Sequence, residues 1–307
     1  MLEASACAHM KKSLLLTLVV AMAVYLAPGM RLDVAKAGLV DDANPSAEDA
    51  CKDVSLSRGL KYGDGEQNLV DVATMAGKDA TPRPVLLFVA GENFTNDGTA
   101  SDWTLRDQAM CLAAKNGLVG VAMAYRRAPQ FPWPAGAKDV AAATSWIHQN
   151  IDLFGGDRRQ LIAVGYSVGA FHLATFLAHR EFQDSDSGIA AAVLVSGLYQ
   201  AGTDAGDGGR AYFGADASKY QDRSALPGLL EVESPIVLAW SAADPPRMIA
   251  QAEMLRQQLC KAGHCPRVAE LTDPDTPASV FDLDGAGKSL AERTKQLIDQ
   301  IEMRGLP

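Results

Sequence analysis

Apolar residues in this chain fall in short runs that alternate with longer stretches of helical period. The apolar runs are bounded by Gly, Pro or Asp and predict the strands Val85–Ala90, Leu118–Ala124, Leu161–Gly165, Ile189–Val195, Ile236–Trp240 and Arg267–Leu271. The stretches between and after them predict the helices Ser101–Asn116, Ala135–Leu153, Val168–Arg180, Arg247–Ala262 and Lys288–Met303. Residues 53–75 predict two leading antiparallel strands around the turn Gly63-Asp64-Gly65.

Strands that are apolar throughout and are separated by helices indicate a mostly parallel sheet with helices on both faces. The fold class is therefore α/β, a doubly wound sheet within one domain over residues 53–307. Residues 199–230 are rich in Gly and Asp and predict an irregular, lid-like excursion over the edge of the sheet. A plain surface loop is the alternative for this excursion.

The N-terminus has the pattern of a secretory signal peptide. Met10-Lys11-Lys12 is followed by a short apolar run, and Ala35-Lys36-Ala37 is a small-x-small cleavage site. We expect residues 1–37 to be removed, residues 38–52 to form a polar tether, and the protein to be exported. The alternative is an uncleaved leader that anchors the chain in a membrane, and translation could start at Met1 or at Met10.

Composition narrows the classes of partner. The net charge of −9 provides no basic footprint for nucleic acid, and 48% hydrophobic residues suit a globular core. The chain has no P-loop, no GxGxxG after a strand and no HExxH, so we expect neither a cofactor nor a metal ion. We expect no membrane contact once the leader is cleaved; a partner protein cannot be named from the sequence.

Four cysteines remain after the predicted cleavage, and they allow three pairings. Cys260 and Cys265 could close a small loop, and Cys51 and Cys111 would then tie the N-terminal arm to the body of the domain. Four separate buried thiols are the alternative.

Residues 165–169, Gly-Tyr-Ser-Val-Gly, stand between a predicted strand and a predicted helix. This is the pattern of a nucleophile elbow, in which a serine occupies a sharp turn and the glycines let strand and helix approach closely. The following helix points its first N–H groups at the serine and favours negative charge there.

Residues 117–157, together with 165–177, resemble the carboxylesterase branch of the α/β-hydrolase fold, which includes hormone-sensitive-lipase-like, feruloyl-esterase-like and arylformamidase-like proteins. Tyr125-Arg126-Arg127-Ala128-Pro129 matches the YRLAP segment of that branch, and Gly155-Gly156-Asp157 matches its GGD. The resemblance implies that Ser167 is the nucleophile and that the Val168 N–H is an oxyanion donor.

The acid of a catalytic triad has a candidate in Asp244, just past the strand Ile236–Trp240. Sites of open α/β sheets gather at the carboxyl ends of strands, and the order Ser, Asp, His is that of this fold. Capping of the next helix is the other interpretation of Asp244. The usual HGGG oxyanion loop corresponds to Ala90-Gly91-Glu92-Asn93, so Gly91 is retained while Glu92 introduces an opposing charge.

The triad histidine is expected beyond the last predicted strand, and the sequence has no histidine after residue 264. The five histidines are His9, His148, His172, His179 and His264. By resemblance, Thr276 stands where the histidine belongs, and a threonine hydroxyl takes up no proton near neutral pH. His172 lies five residues into the elbow helix, about 500° of rotation away, and faces away from Ser167. His172, His264 and Glu92 remain the alternative bases.

The sequence therefore predicts an exported, esterase- or lipase-like protein that keeps the nucleophile and the acid but hydrolyses esters weakly or not at all. It would bind a small ester-like or apolar ligand in the inherited pocket. One alternative is an active carboxylesterase or amidase with a relocated base. The other is a noncatalytic scaffold that binds a ligand or a partner.

Overall fold

The computed structural model of the 307-residue chain describes residues 50–75, 81–91, 94–95, 100–202 and 206–271. Eight strands of these residues form one sheet in the order β1-β2-β4-β3-β5-β6-β7-β8. The strands are β1 (Val54–Lys61), β2 (Leu69–Met75), β3 (Arg83–Val89), β4 (Val119–Met123), β5 (Gly156–Tyr166), β6 (Ala191–Val195), β7 (Ile236–Ser241) and β8 (Arg267–Leu271). The predicted leader and the predicted helix Lys288–Met303 lie outside the described residues.

The sheet is mostly parallel. β1 and β2 pair antiparallel as predicted, β2 also runs antiparallel to β4, and every pairing from β4 through β3 to β8 is parallel. All five residues of β4 and of β6 are buried, as expected of parallel strands covered on both faces. Parallel pairing brings the carboxyl ends of β3 to β8 to one edge of the sheet, which we call the carboxyl edge.

Helices cover both faces of the sheet, so the predicted doubly wound α/β class is confirmed. The helices are α1 (Ala100–Lys115), α2 (Ala135–Asn150), α3 (Val168–Ala178), α4 (Gly206–Phe213) and α5 (Pro246–Lys261). Successive side chains of β3 point to opposite faces of the sheet. Leu87 packs in the hydrophobic cluster that includes residues of α2, α3 and α5, whereas Phe88 packs in the cluster that includes residues of α1.

The excursion over residues 199–230 contains a helix that the sequence pattern did not predict. α4 buries Tyr212 and Phe213 although its first half is rich in glycine. The N–H of Trp133 donates to Tyr212 O at 2.9 Å, and the Arg223 guanidinium donates to Phe213 O. Tertiary contacts of its two aromatic residues therefore hold this segment against the domain.

Both predicted disulfide pairings are formed. Cys51 is bonded to Cys111 in α1, and Cys260 is bonded to Cys265 just before β8. The first bond fixes the end of the predicted tether to the domain. Within the described residues, no helix combines the length and the hydropathy that a bilayer crossing requires.

Candidate active site

Ser167 lies at the turn between β5 and α3, at the carboxyl edge of the sheet. Its backbone has φ 53° and ψ −117°, a conformation that non-glycine residues rarely adopt. Its N–H donates to Val195 O of the neighbouring β6 at 2.9 Å, and the residue is half-buried. This strained strand-to-helix turn is the geometry of a nucleophile elbow.

The two glycines of the elbow are required by close packing. A side-chain carbon on Gly165 would lie 2.6 Å from the Ala170 Cα, and one on Gly169 would overlap the carbonyl of Val89 at the end of β3. The missing side chains therefore let α3 approach both β5 and β3, which sets the position of Ser167.

The N–H of Val168, predicted to hold an oxyanion, donates to Gly91 O at 3.2 Å. Gly91 is buried against the elbow, where a side-chain carbon would lie 3.0 Å from the Gly169 nitrogen and would overlap the Tyr125 hydroxyl. In this arrangement the Gly91 carbonyl occupies the Val168 N–H, so an oxyanion at Val168 has to displace that carbonyl. Glu92 lies outside the described residues.

Asp244 follows β7, also at the carboxyl edge. Its Oδ2 accepts a hydrogen bond from the Ser196 hydroxyl at 2.6 Å and another from the Ser241 N–H at 3.0 Å. Among the residues that the structure describes, no group donates to its Oδ1. The carboxylate is thus anchored through one oxygen and leaves the other available to a further donor.

His172 is enclosed by aromatic rings and is only 1% exposed. Its ring centroid lies 4.7 Å from that of Tyr125 and 5.1 Å from that of Tyr212. Burial, reinforced by the charge of Arg127, lowers the pKa of His172 to about 3. The imidazole therefore stays neutral at ordinary pH and is enclosed by the protein rather than exposed at the surface.

The other described histidines are held elsewhere. His148 donates through Nε2 to Gly188 O at 2.8 Å. The ring nitrogens of His179 lie 3.0 Å from Ser224 O and from Glu181 Oε1, at the far end of α3 from Ser167. His264 is exposed and precedes β8, which places it at the amino edge of the sheet, opposite Ser167.

No described histidine therefore stands at the elbow, and the sequence has none after residue 264. Thr276, the position predicted by resemblance for the missing histidine, lies outside the described residues. The Tyr199 phenol offers no substitute base, because burial and, to a smaller extent, the negative charge of Asp244 raise its pKa. Among the described residues, no three His, Cys, Asp or Glu side chains are grouped so as to hold a metal ion.

A cluster of buried aromatic residues next to the elbow was missed by the sequence analysis. We call it the aromatic cluster; its members are Phe94, Phe171, Tyr212 and Phe213. Phe94 stacks on Tyr212 at 4.9 Å between ring centroids, and Phe171 meets Phe213 edge-on at 5.2 Å. Because Phe171 lies one helical turn after Ser167, this cluster packs on the face of α3 that carries the serine. The pair Tyr212-Phe213 within a polar, Gly-rich stretch is the only sequence signal that pointed to it.

Comparison with known proteins agrees with this geometry. A family model described as the alpha/beta hydrolase fold matches residues 86–256. The chain is 34% identical over 117 residues to esterase LipC and 31% identical over 206 residues to esterase LipQ, both of Mycobacterium tuberculosis. These matches cover 38% and 61% of this chain but 28% and 46% of the relatives, so the chain spans less than half of their length.

The fold has counterparts among solved structures. Esterase B from Lactobacillus Rhamnosis superposes with a TM-score of 0.67 at 14% identity, covering 83% of this chain and 89% of that protein. A truncated carbohydrate esterase from gut microbiota superposes with the same TM-score and identity, covering 80% and 96%. The family match spans more than half of the chain and includes the elbow, so this protein belongs to the α/β-hydrolase fold family.

Proposed function

We propose that this protein is an exported esterase- or lipase-type serine hydrolase whose ester hydrolysis is weak because Ser167 has lost its histidine base. The observation that carries the proposal is the combination of a strained elbow serine with the absence of any described histidine beside it. The relatives named esterases support the reaction class, and their greater length leaves the activity of this chain a proposal.

The expected rate follows from what remains in the site. In the serine protease subtilisin, loss of the base lowers kcat by about 10⁶-fold, while binding and the oxyanion hole still provide about 10³–10⁴-fold over water. Here the oxyanion donor Val168 is also bonded to Gly91 O, which opposes the tetrahedral intermediate until that bond opens. Both features favour slow turnover.

The proposed ligand is a small ester or an apolar molecule of similar size. The rings of the aromatic cluster pack on the side of α3 that carries Ser167 and are at most 4% exposed. A long acyl chain cannot enter there without displacing α4, so short acyl groups fit this side better.

Two features of the chain support export. The four described cysteines form two disulfides, and such bonds persist in oxidising compartments outside the cytosol. The signal-like segment with its predicted cleavage after Ala37 agrees with that location. Recovery of the processed chain, beginning at residue 38, from the exported fraction tests this part of the proposal.

Hydrolysis of p-nitrophenyl acetate and butyrate by the processed protein tests the reaction, with Ser167→Ala as the control. We expect slow hydrolysis that falls to the background rate in Ser167→Ala. We expect Thr276→His to raise kcat by about 10²-fold or more, within the range that a general base supplies.

Two results would contradict this proposal. Rapid, stoichiometric labelling of wild-type Ser167 by a fluorophosphonate would show a fully activated nucleophile, which supports the alternative of a relocated base. Equal rates for wild type and Ser167→Ala would support the alternative of a noncatalytic scaffold. The hydrogen bond from the Val168 N–H to Gly91 O also favours that alternative, because it occupies the oxyanion donor.

A further inference from the structure

Ser196 occupies the position next to Ser167 on the neighbouring strand. Tyr166 at the end of β5 pairs with Val195 at the end of β6. Ser167 and Ser196 come directly after these two residues and are therefore neighbouring positions at the ends of adjacent strands. Both have positive φ, 53° and 48°, although neither is glycine. Strained non-glycine residues of this kind concentrate at functional sites.

The contacts of Ser196 connect this position to the acid. Ser196 is 4% exposed, its N–H donates to Ala239 O of β7 at 2.8 Å, and its hydroxyl donates to Asp244 Oδ2 at 2.6 Å. No described group donates to the Ser196 oxygen, so this oxygen is able to accept a proton from a neighbouring hydroxyl. Because β6 lies between β5 and β7, Ser196 follows the strand that separates β5, which leads into Ser167, from β7, which leads to Asp244. The Ser167 and Ser196 hydroxyls are not hydrogen-bonded to each other in this structure, so a proton can pass between them only after the Ser167 side chain rotates toward Ser196.

From this arrangement we propose that Asp244 accepts the proton of Ser167 through the Ser196 hydroxyl; this inference rests on the hydrolase function proposed above. As the Ser167 oxygen bonds to the ester carbonyl carbon, its proton passes to the Ser196 oxygen and the Ser196 proton passes to Asp244. When the bond to the leaving alcohol breaks, Asp244 returns a proton to Ser196 and Ser196 passes its own proton to the alkoxide oxygen, so a neutral alcohol leaves while Ser167 stays acylated. Water repeats the cycle on the acyl-enzyme.

This route is slow for a chemical reason. A carboxylate is a weaker base than imidazole, so proton transfer from a serine hydroxyl has less driving force. The hydroxyl of Ser196 has to exchange its short bond with Asp244 for a new proton during the same step. A site that uses Ser196 and Asp244 in place of a histidine is therefore expected to hydrolyse esters slowly.

The test compares steady-state hydrolysis of p-nitrophenyl acetate by Ser196→Gly and Asp244→Asn with wild type. Glycine suits a φ of 48°, so this substitution removes the hydroxyl without adding backbone strain. We expect each substitution to lower kcat by about 10²-fold with KM unchanged, the lower end of what a general base supplies. The double variant should be no slower than either single variant, since the two groups act as one unit.

Ser234→Ala is the matched control, because its hydroxyl donates to Ile189 O at 2.8 Å at the amino edge of the sheet. Its kcat should equal that of wild type. Unchanged kcat in Ser196→Gly, alongside a loss in Ser167→Ala, would overturn the relay and leave the hydrolase function intact. Equal activity of Ser167→Ala and wild type would overturn both. Additive losses in the double variant, with lowered thermal midpoints, would show that Ser196 only supports the fold.

Discussion

At the scale of single residues, the surroundings of His172 decide how its ring ionises. The imidazole is packed among Phe94, Tyr125 and Tyr212, and its Nδ1 has no hydrogen-bond partner among the described residues. A charged ring there would lose its hydration without gaining an ion partner, which lowers its pKa to about 3 from 6.5. This histidine is therefore a buried aromatic residue in the folded protein and becomes a base only on unfolding.

This difference predicts a dependence of stability on pH. Between pH 6.5 and about 3 the unfolded state binds a proton at His172 that the folded state does not, so acid favours unfolding. From pH 7 to pH 5, we expect wild type to lose about 2 kcal/mol more unfolding free energy than His172→Phe, which fills the same cage with an apolar ring. Urea unfolding at the two pH values measures the difference.

His264→Phe serves as the comparison for this measurement, because His264 is exposed in the loop before β8. It should keep the wild-type dependence on pH. An equal loss of stability in wild type and His172→Phe between pH 7 and pH 5 would show that the imidazole is hydrated in the folded protein.

At the scale of elements, the contact between α3 and β3 sets the elbow. A methyl group on Gly169 would overlap the Val89 carbonyl, a backbone atom that cannot rotate away. We expect Gly169→Ala to destabilise the protein by about 3 kcal/mol or more, or to prevent folding, since overpacking a tight contact forces backbone shifts. Thermal or denaturant unfolding of the purified variant measures this.

Gly208→Ala in α4 provides the matched substitution for this contact. Its added carbon would have its nearest described neighbours at 3.7 Å, an ordinary contact. Alanine is the better helix former by about 1 kcal/mol, so stability should stay equal or rise. A Gly169→Ala protein as stable as Gly208→Ala would mean that α3 does not need its close approach to β3.

The pattern of apolar runs was sufficient to predict most elements, but not α4. β4 and β6 are apolar throughout, and β7 is apolar up to its last residue, Ser241, because these strands are covered on both faces; this signal is local. α2 continues as a 3₁₀ helix over Ile151–Phe154, and this helix ends at Gly155, whose φ is 74°. α4 has three glycines in eight residues and forms through the burial of Tyr212 and Phe213, a tertiary effect that no local pattern records.

At the scale of the whole molecule, the topology explains which part of the site the sequence could supply. Ser167 and Asp244 were predicted from motif and chain order, and both lie at the carboxyl edge because parallel strands bring their carboxyl ends together. Ser196 was missed because its partnership with Asp244 joins residues 48 positions apart. The bond between Val168 and Gly91 was missed for the same reason, since the orientation of one peptide group depends on the packed elbow.

The two disulfides should contribute unequally to the stability of the whole chain. Cys51–Cys111 spans 60 residues and joins the segment before β1 to α1, whereas Cys260–Cys265 spans 5 residues. The loop-entropy relation gives about 4 kcal/mol for the longer loop and about 2 kcal/mol for the shorter one. We expect Cys51→Ala with Cys111→Ala to lower unfolding free energy by about twice as much as Cys260→Ala with Cys265→Ala.

Chemical unfolding of the two double variants at one pH measures these differences, with the wild-type protein kept oxidised. Alanine is used because Cys111 is fully buried and a serine would add an unsatisfied hydroxyl. Equal losses would show that the unfolded chain already holds Cys51 near α1. A larger loss for the short loop would place its effect in the folded state, at the junction of α5 and β8, because a five-residue closure removes little freedom from the unfolded chain.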